Sequence, residues 1–202
     1  MKAACGVITT MTTRGMFQSE SERLNTLLKK LWAHSFACAC LSKRIAEDVK
    51  LKNSEALFLM GIVHDIGKTL LIRAISDIDP DEPFDEDVQV AIHEIHTTFG
   101  AVLLKKLRFP KEVASIAEFH HWNDFSKADD QELMIVSLAD DLANMIGYSS
   151  FWGDDAVDPD DLDEGFNLAH LKVVKLLGLK DDRLQDIIRE AGQTIKETAG
   201  LF

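Results

Sequence analysis

Seven side chains in this sequence are of types that hold metal ions and stand where helices would turn them inward: His34, His64, Asp65, His96, His120, His121 and Asp140. Two are adjacent, in the stretch GIVHDIGKTLLI from Gly61 to Ile72, an ionisable pair in an otherwise oily segment. A buried imidazole or carboxylate costs several kcal/mol unless it is paired, hydrogen-bonded or bound to metal. For any one of them, a hydrogen-bonded core residue is the simpler account. Together, five imidazoles and two carboxylates make a mixed nitrogen and oxygen donor set. Such a set suits a divalent transition metal (Fe, Mn, Zn or Ni) better than Ca or Mg. It also exceeds what one four-coordinate ion needs, which raises two ions bridged by a carboxylate, with Asp65 the natural bridge. Lys68, three residues after the pair, reads equally as a surface lysine lying along apolar neighbours or as a cation for a phosphate.

The inward placement rests on helical spacing. Leu24, Leu27, Leu28, Leu31, Ser35, Cys38, Leu41 and Ile45 recur at steps of three and four, predicting one long amphipathic helix with His34 on its apolar stripe. Ser54 is the expected cap of the next helix, whose Leu57, Met60 and Gly61 lead to His64. A further helical piece is expected through Leu70, Leu71 and Ile75. DIDPDEPFDED, Asp77 to Asp87, reads as a loop, because prolines among acids cannot continue a helix. Helix resumes through Val88, Ile92, Phe99 and Leu103, with His96 on the Ile92–Phe99 face and His93 expected to be exposed. Pro110 suits the start of a helix that carries Val113, Ile116 and Ala117 and leads to His120 and His121. Asp140 lies on a helix from about Glu132 to Met145, four residues after Val136. Two more helices are predicted, Phe166 to Leu177, ended by Gly178, and Asp181 to Thr198; His170, on the first, reads as structural. No strand-like alternation of useful length occurs. The fold class is therefore all-α, a multi-helix bundle around one core.

Bulk properties narrow the function. The 202 residues are 46% hydrophobic, enough for one sizeable core. No apolar run approaches the roughly 18 residues of a membrane span, and the first residues lack a secretory pattern. The three cysteines, Cys5, Cys38 and Cys40, lack disulfide-framework spacing, so a reducing cytoplasm is expected. A net charge of −12 disfavours direct binding of nucleic acid. The acidic cluster GDDAVDPDDLDE, Gly153 to Glu164, lacks the spacing of a calcium loop and reads as solvated.

These residues carry a resemblance. His34, His64–Asp65 and Asp140 resemble the H…HD…D signature of the HD superfamily of metal-dependent phosphohydrolases. LWAHSFACACLSKRIAE, ALFLMGIVHDIGK, HTTFGAVLLKKLRFP and the His120–His121 pair more specifically resemble the HDOD domain, an HD-related output module of bacterial signalling proteins. The likeness runs from about Leu27 to Asp140. It implies an HD-type helical domain over residues 1–150, without the helical portion the family usually carries first. Residues 151–202 are then an acidic loop and C-terminal helices packing on the same domain. Many HDOD members have lost metal ligands, whereas every position is filled here. The full set is also similar to the HD-GYP branch, which hydrolyses cyclic di-GMP, but WNDFSKADD follows the histidine pair and no GYP occurs, so that specificity is not carried over. The resemblance implies first a signal-transduction output module, binding a signalling protein or a nucleotide. The alternative is an active phosphohydrolase. There His34, His64, Asp65 and Asp140 would hold one ion and Asp65, His96, His120 and His121 a second. Asp65 and Lys68 would be catalytic.

Overall fold

The computed structural model describes residues 17, 21–79, 81, 83–122, 125, 130–149 and 168–199. Among them are eight helices: α1 Glu22–Asp48, α2 Ser54–Val63, α3 Ile66–Ile78, α4 Glu86–Lys106, α5 Lys111–Phe119, α6 Gln131–Met145, α7 Leu168–Leu176 and α8 Asp181–Ala199. No strand occurs among the described residues, so the all-α class holds.

The long helix α1 is the axis of the fold. Its N-terminus is capped by Ser21, whose hydroxyl accepts from the Leu24 amide at 3.4 Å. Leu28, Leu31, Leu41 and Ile45 have no exposed surface, and α2, α6 and α8 pack around them. Helix α4 lies against α3 on one side and α5 on the other. Leu184, Ile187, Ile188, Ala191 and Ile195 give α8 a buried seam at steps of three and four, in the same core as α1 and α6. The ion pairs that flank this seam, Arg183 with Asp48 and Arg44 with Glu190, are partly exposed, so solvent screens them and the seam rather than the pairs holds α8 in place.

Two glycines set the closest helix approaches. A Cβ on Gly61 would stand 2.6 Å from the Ala39 Cα, so α2 rests directly on α1. A Cβ on Gly67 would stand 2.0 Å from the His96 carbonyl oxygen, so the start of α3 rests on the backbone of α4. The HD pair lies between these two contacts.

Some details differ from expectation. Asn53, not Ser54, is the N-cap residue of α2, and its side chain makes no capping bond. The acidic loop is shorter than predicted. α3 continues through Asp77 and Ile78, and α4 starts at Glu86, where the Asp85 carboxylate accepts from the Val88 amide at 3.1 Å. Phe99 does not face inward: it is 40% exposed, because the buried face of α4 runs through Ile92, His96, Gly100 and Leu104. Successive steps of four advance around the helix, and the approach of Gly67 to Gly100 fixes which side is covered. Gly178, at φ +69°, turns the chain between α7 and α8. No helix among the described residues is long and apolar enough to cross a membrane. Cys5, the Gly153–Glu164 cluster, the boundary expected at residue 150 and the side chain of His170 lie outside what is described.

Candidate metal centre

The helix pattern that fixes the core also fixes what points into its middle. His34 is one turn past Leu31 on α1. The chain breaks between α2 and α3 at His64 and Asp65, which lets two consecutive residues both face inward. His96 is on the covered face of α4, His120 and His121 follow α5, and Asp140 is on α6. Thus all seven sequence-predicted donor residues come together. His34, His64, Asp65, His96, His120 and Asp140 are at most 2% exposed. His121 differs, with 37% of its side chain exposed.

The donors fall into two groups. The ligand atoms of His34, His64 and Asp140 lie within 4.8 Å of one another, and so do those of Asp65, His96, His120 and His121. Asp65 faces both. Its Oδ2 is 3.5 Å from His34 Nε2 and 3.6 Å from His64 Nε2, while its Oδ1 is 3.1 Å from His96 Nε2 and 3.5 Å from His120 Nε2. Asp140 also reaches across, with Oδ1 3.0 Å from His34 Nε2 and Oδ2 3.5 Å from His121 Nδ1.

Hydrogen bonds at the far side of each ring decide what the near side offers. His34 Nδ1 donates to the Tyr148 carbonyl at 2.7 Å, and His64 Nδ1 to the Gly61 carbonyl at 2.8 Å. His96 Nδ1 donates to the His93 carbonyl, and His120 Nδ1 to those of Ile116 and Ala117, both at 3.2 Å. A carbonyl only accepts, so each Nδ1 carries the hydrogen and each neutral ring presents a bare Nε2 lone pair. His34 and His64 set two such lone pairs 3.3 Å apart, an arrangement that needs a proton or a cation between them. In the other group, Asp65 Oδ1, His96 Nε2 and His120 Nε2 are buried and have no hydrogen-bond partner. Three acceptors facing one another without a donor is costly, and a divalent cation is the group that relieves it. The nitrogen and carboxylate donors present therefore fit a divalent transition metal.

Lys68 is not the surface lysine that one reading allowed. It is 4% exposed, and its ammonium donates to Asp65 Oδ2 at 2.6 Å. Burial opposes ionisation of Asp65, but Lys68 and His64 outweigh it and hold the carboxyl well below the usual carboxylate range. Asp140 is likewise held low against its burial, by the adjacent His34 and His64. His64 is pushed in the opposite direction from His120 and His121. Burial pulls His64 down, but Cys38, Asp65 and Asp140 beside it more than offset that and raise it well above the usual value. Burial lowers His120, and burial beside His120 takes His121 down to about 3.

Sequence reasoning missed two contributors and underweighted a third. Tyr148 acts through its carbonyl, which no side-chain pattern signals. Asn144 donates to Asp140 Oδ1 at 3.3 Å, and its position one turn after Asp140 was a usable signal. His93 is exposed, as expected, yet its ring centroid lies 5.3 Å from that of His96 and 5.2 Å from that of His121, at the open edge of the centre.

The HDOD domain profile matches residues 1–122. The chain belongs to the HDOD domain family. It is 30% identical over 130 residues to the cyclic-di-AMP phosphodiesterase PgpH of Bacillus subtilis (strain 168). That match covers 60% of this chain and 18% of the relative, so this HDOD chain spans less than a fifth of that protein's length. Among solved structures, the HD domain of the L. monocytogenes phosphodiesterase PgpH is similar, with a TM-score of 0.53 and 22% identity over 86% of this chain and 93% of that one. The same domain in complex with cyclic-di-AMP gives 0.52 and 20%, over 86% and 92%. At that identity the likeness is one of fold: an HD-type helical domain.

Proposed function

We propose that this HDOD chain is a metal-dependent phosphodiesterase acting on a nucleotide phosphodiester, with Asp65 placed to contribute to both of two divalent transition-metal sites. The observation that carries the reading is the orientation of Asp65: each carboxylate oxygen faces a different donor group, and the one facing His96 and His120 is buried without a partner. His34, His64, Asp65 and Asp140 would hold one ion, and Asp65, His96, His120 and His121 the other. Bound there, such ions supply a water acidic enough to attack at neutral pH and a Lewis acid for a phosphoryl oxygen. The protein's part is positioning. The backbone carbonyls fix the imidazoles, Lys68 keeps Asp65 ionised, and the sealed side excludes water. A substrate phosphate has one approach among the described residues, the edge where His121 and His93 reach solvent. The relative's activity on cyclic-di-AMP makes a cyclic dinucleotide the first substrate to try.

The test is elemental analysis followed by assay. The chain, purified without added metal or a histidine tag, is compared with a His64→Ala, Asp65→Ala double variant, then loaded with Mn or Fe. It is offered cyclic-di-AMP, a linear dinucleotide and a generic diester. Bound metal and product in the parent alone are expected. A parent with verified metal that turns over none of them ends this reading.

A second reading is favoured by the burial. With six of seven donor residues sealed, a filled centre could serve only to stabilise a bacterial signalling output module, since binding metal adds to folded-state stability. That module would bind a signalling protein or a nucleotide, and binding would survive the double substitution in a folded variant. Under either reading the chain is expected to work in a cytoplasm, which the free thiols of Cys38 and Cys40 suit.

A further inference from the structure

The outer face of α4 carries an apolar stripe. Ala91, Ile95, Phe99 and Val102 recur at steps of three and four, on the side turned away from Gly100. Ile95 is 51% exposed, Phe99 40% and Val102 58%. Of ten exposed large hydrophobic residues among those described, six lie on α4 or directly after it: Val90, Ile95, Phe99, Val102, Leu107 and Phe109. Isolated exposed apolar residues are ordinary, but a continuous stripe of them marks a contact surface.

Charge says what the stripe fits. Asp85, Glu86 and Asp87 stand at the N-terminal end of α4 with Glu94 further along, and Lys105, Lys106, Arg108 and Lys111 stand at its C-terminal end. Lys105 is engaged, donating to Glu118 at 2.6 Å. Asp87, Glu94, Lys106 and Arg108 have no ion-pair partner among the described residues. The helix is therefore apolar along one face, acidic at one end and basic at the other. A second copy laid antiparallel on this face meets all three features with their complements.

We propose that α4 is a homodimer interface, paired antiparallel with α4 of a second copy about a two-fold axis. The axis passes near residues 95–98, which sets Ala91 on Val102 of the other copy and Ile95 beside Thr98. Asp87 then lies against Lys106 and Arg108 of the other copy, and the symmetry makes each contact twice. A parallel pairing would stack acid on acid and base on base. The chain's net charge of −12 makes copies repel in most orientations, so an association must bring basic and acidic ends together, as this register does.

Sedimentation equilibrium of the full chain over a wide concentration range tests it. The expected mass is twice the chain's 22.6 kDa, falling to 22.6 kDa in the Phe99→Asp, Val102→Asp variant with helicity and metal content unchanged. The second variant, Lys106→Glu with Arg108→Glu, lies at exposed positions and should fold regardless. It should weaken the dimer at least tenfold, and adding Asp87→Lys should recover it. A parent that stays monomeric overturns the proposal. A dimer untouched by Asp at both positions 99 and 102 also overturns it, since the contact is then elsewhere. Absence of charge-swap rescue overturns the antiparallel register.

Discussion

The two halves of the candidate centre are joined by Asp65 and by the reach of Asp140 to His121, and otherwise differ. His34, His64 and Asp140 satisfy one another: Asp140 Oδ1 is 3.0 Å from His34 Nε2, which is 3.3 Å from His64 Nε2, and all three residues are sealed. His96, His120 and Asp65 Oδ1 leave acceptors with nothing to accept, and the fourth member, His121, reaches solvent. The difference is one of protons. Cys38, Asp65 and Asp140 together outweigh burial and raise the proton affinity of His64, whereas at His120 and His121 burial outweighs the same two carboxylates. A metal-free chain can fill the first half with shared protons. The second half, where burial lowers the proton affinity of His120 and His121, is where a bound cation would matter most.

The largest expected effect comes from the residue common to both halves. Asp65→Ala removes a donor from each group and leaves the Lys68 ammonium buried without its carboxylate. Breaking a buried pair from one side costs about 3–5 kcal/mol. Urea denaturation of metal-free protein should show a loss of that order, and Asp65→Ala with Lys68→Met should recover most of it. Recovery in the double variant with no return of metal binding separates the pair's structural role from the ligand's. If Asp65→Ala alone is no less stable than the parent, Lys68 is not held as its burial indicates.

Next come the glycines that seat the two halves. Gly61→Ala drives a Cβ to 2.6 Å from the Ala39 Cα, and Gly67→Ala drives one to 2.0 Å from the His96 carbonyl oxygen. Both clashes are with backbone, so helices must part, and overpacking of this kind typically costs about 1–3 kcal/mol. The comparison lies in which ion suffers. Gly61→Ala spreads α1 from α2 and should weaken metal binding by His34 and His64. Gly67→Ala spreads α3 from α4 and should weaken binding by Asp65 and His96. Calorimetric titration of each variant should lose a different one of two binding events. Equal damage to both events in both variants would mean that the halves move as one.

Acid and chelator should also act on different halves. A metal competes with protons only at donors that carry them. His64 has a raised proton affinity, so lowering the pH from about 8 to about 5 should release the ion at His34, His64 and Asp140 first. His121, down to about 3, stays unprotonated throughout that range, and the ion beside it should be retained longer. A chelator works by access, so at fixed neutral pH it should strip the ion at the exposed His121 edge first. Stability should fall as well once the pH drops far enough to protonate Asp65 and Asp140. Both are held low in the folded state, so what they contribute is present above the unfolded carboxylate range and is lost below it. Metal content against pH and against chelator time, read on the Gly61→Ala and Gly67→Ala proteins, assigns the order.

How much of this was legible beforehand follows from what periodicity encodes. Steps of three and four placed His34, His96 and Asp140 on covered faces, and the break at His64–Asp65 needed only an ionisable pair in an oily run. The same rule misplaced Phe99, because stepping along one helix does not say which neighbour covers which side. That was decided by Gly67 and Gly100, glycines whose role is the closeness of another helix. Lys68 was ambiguous for a related reason: its stem can lie along apolar surface either outward or inward, and only the position of Asp65 selects. The Tyr148 carbonyl was invisible, since every residue has one and its use depends on where a turn aims it.

That carbonyl gives the finest test of the comparison, and the smallest effect. Gly147, at φ +88°, turns the chain after α6 so that the Tyr148 carbonyl meets His34 Nδ1 at 2.7 Å. An L-residue at positive φ is strained by about 1–3 kcal/mol, so Gly147→Ala should flatten the turn and draw the carbonyl away. His34 would then lose its fixed tautomer, and loss of such an orienting contact typically lowers metal affinity about 10–100-fold. Gly178→Ala is the control: Gly178 also has positive φ, +69°, and a Cβ there meets nothing within 4 Å. It should carry a comparable strain cost and leave both metal-binding events intact. Selective weakening of one event by Gly147→Ala, set against an unaffected Gly178→Ala, would tie the turn to the His34 half alone. Equal metal affinities in the two variants would reduce Tyr148 to a bystander.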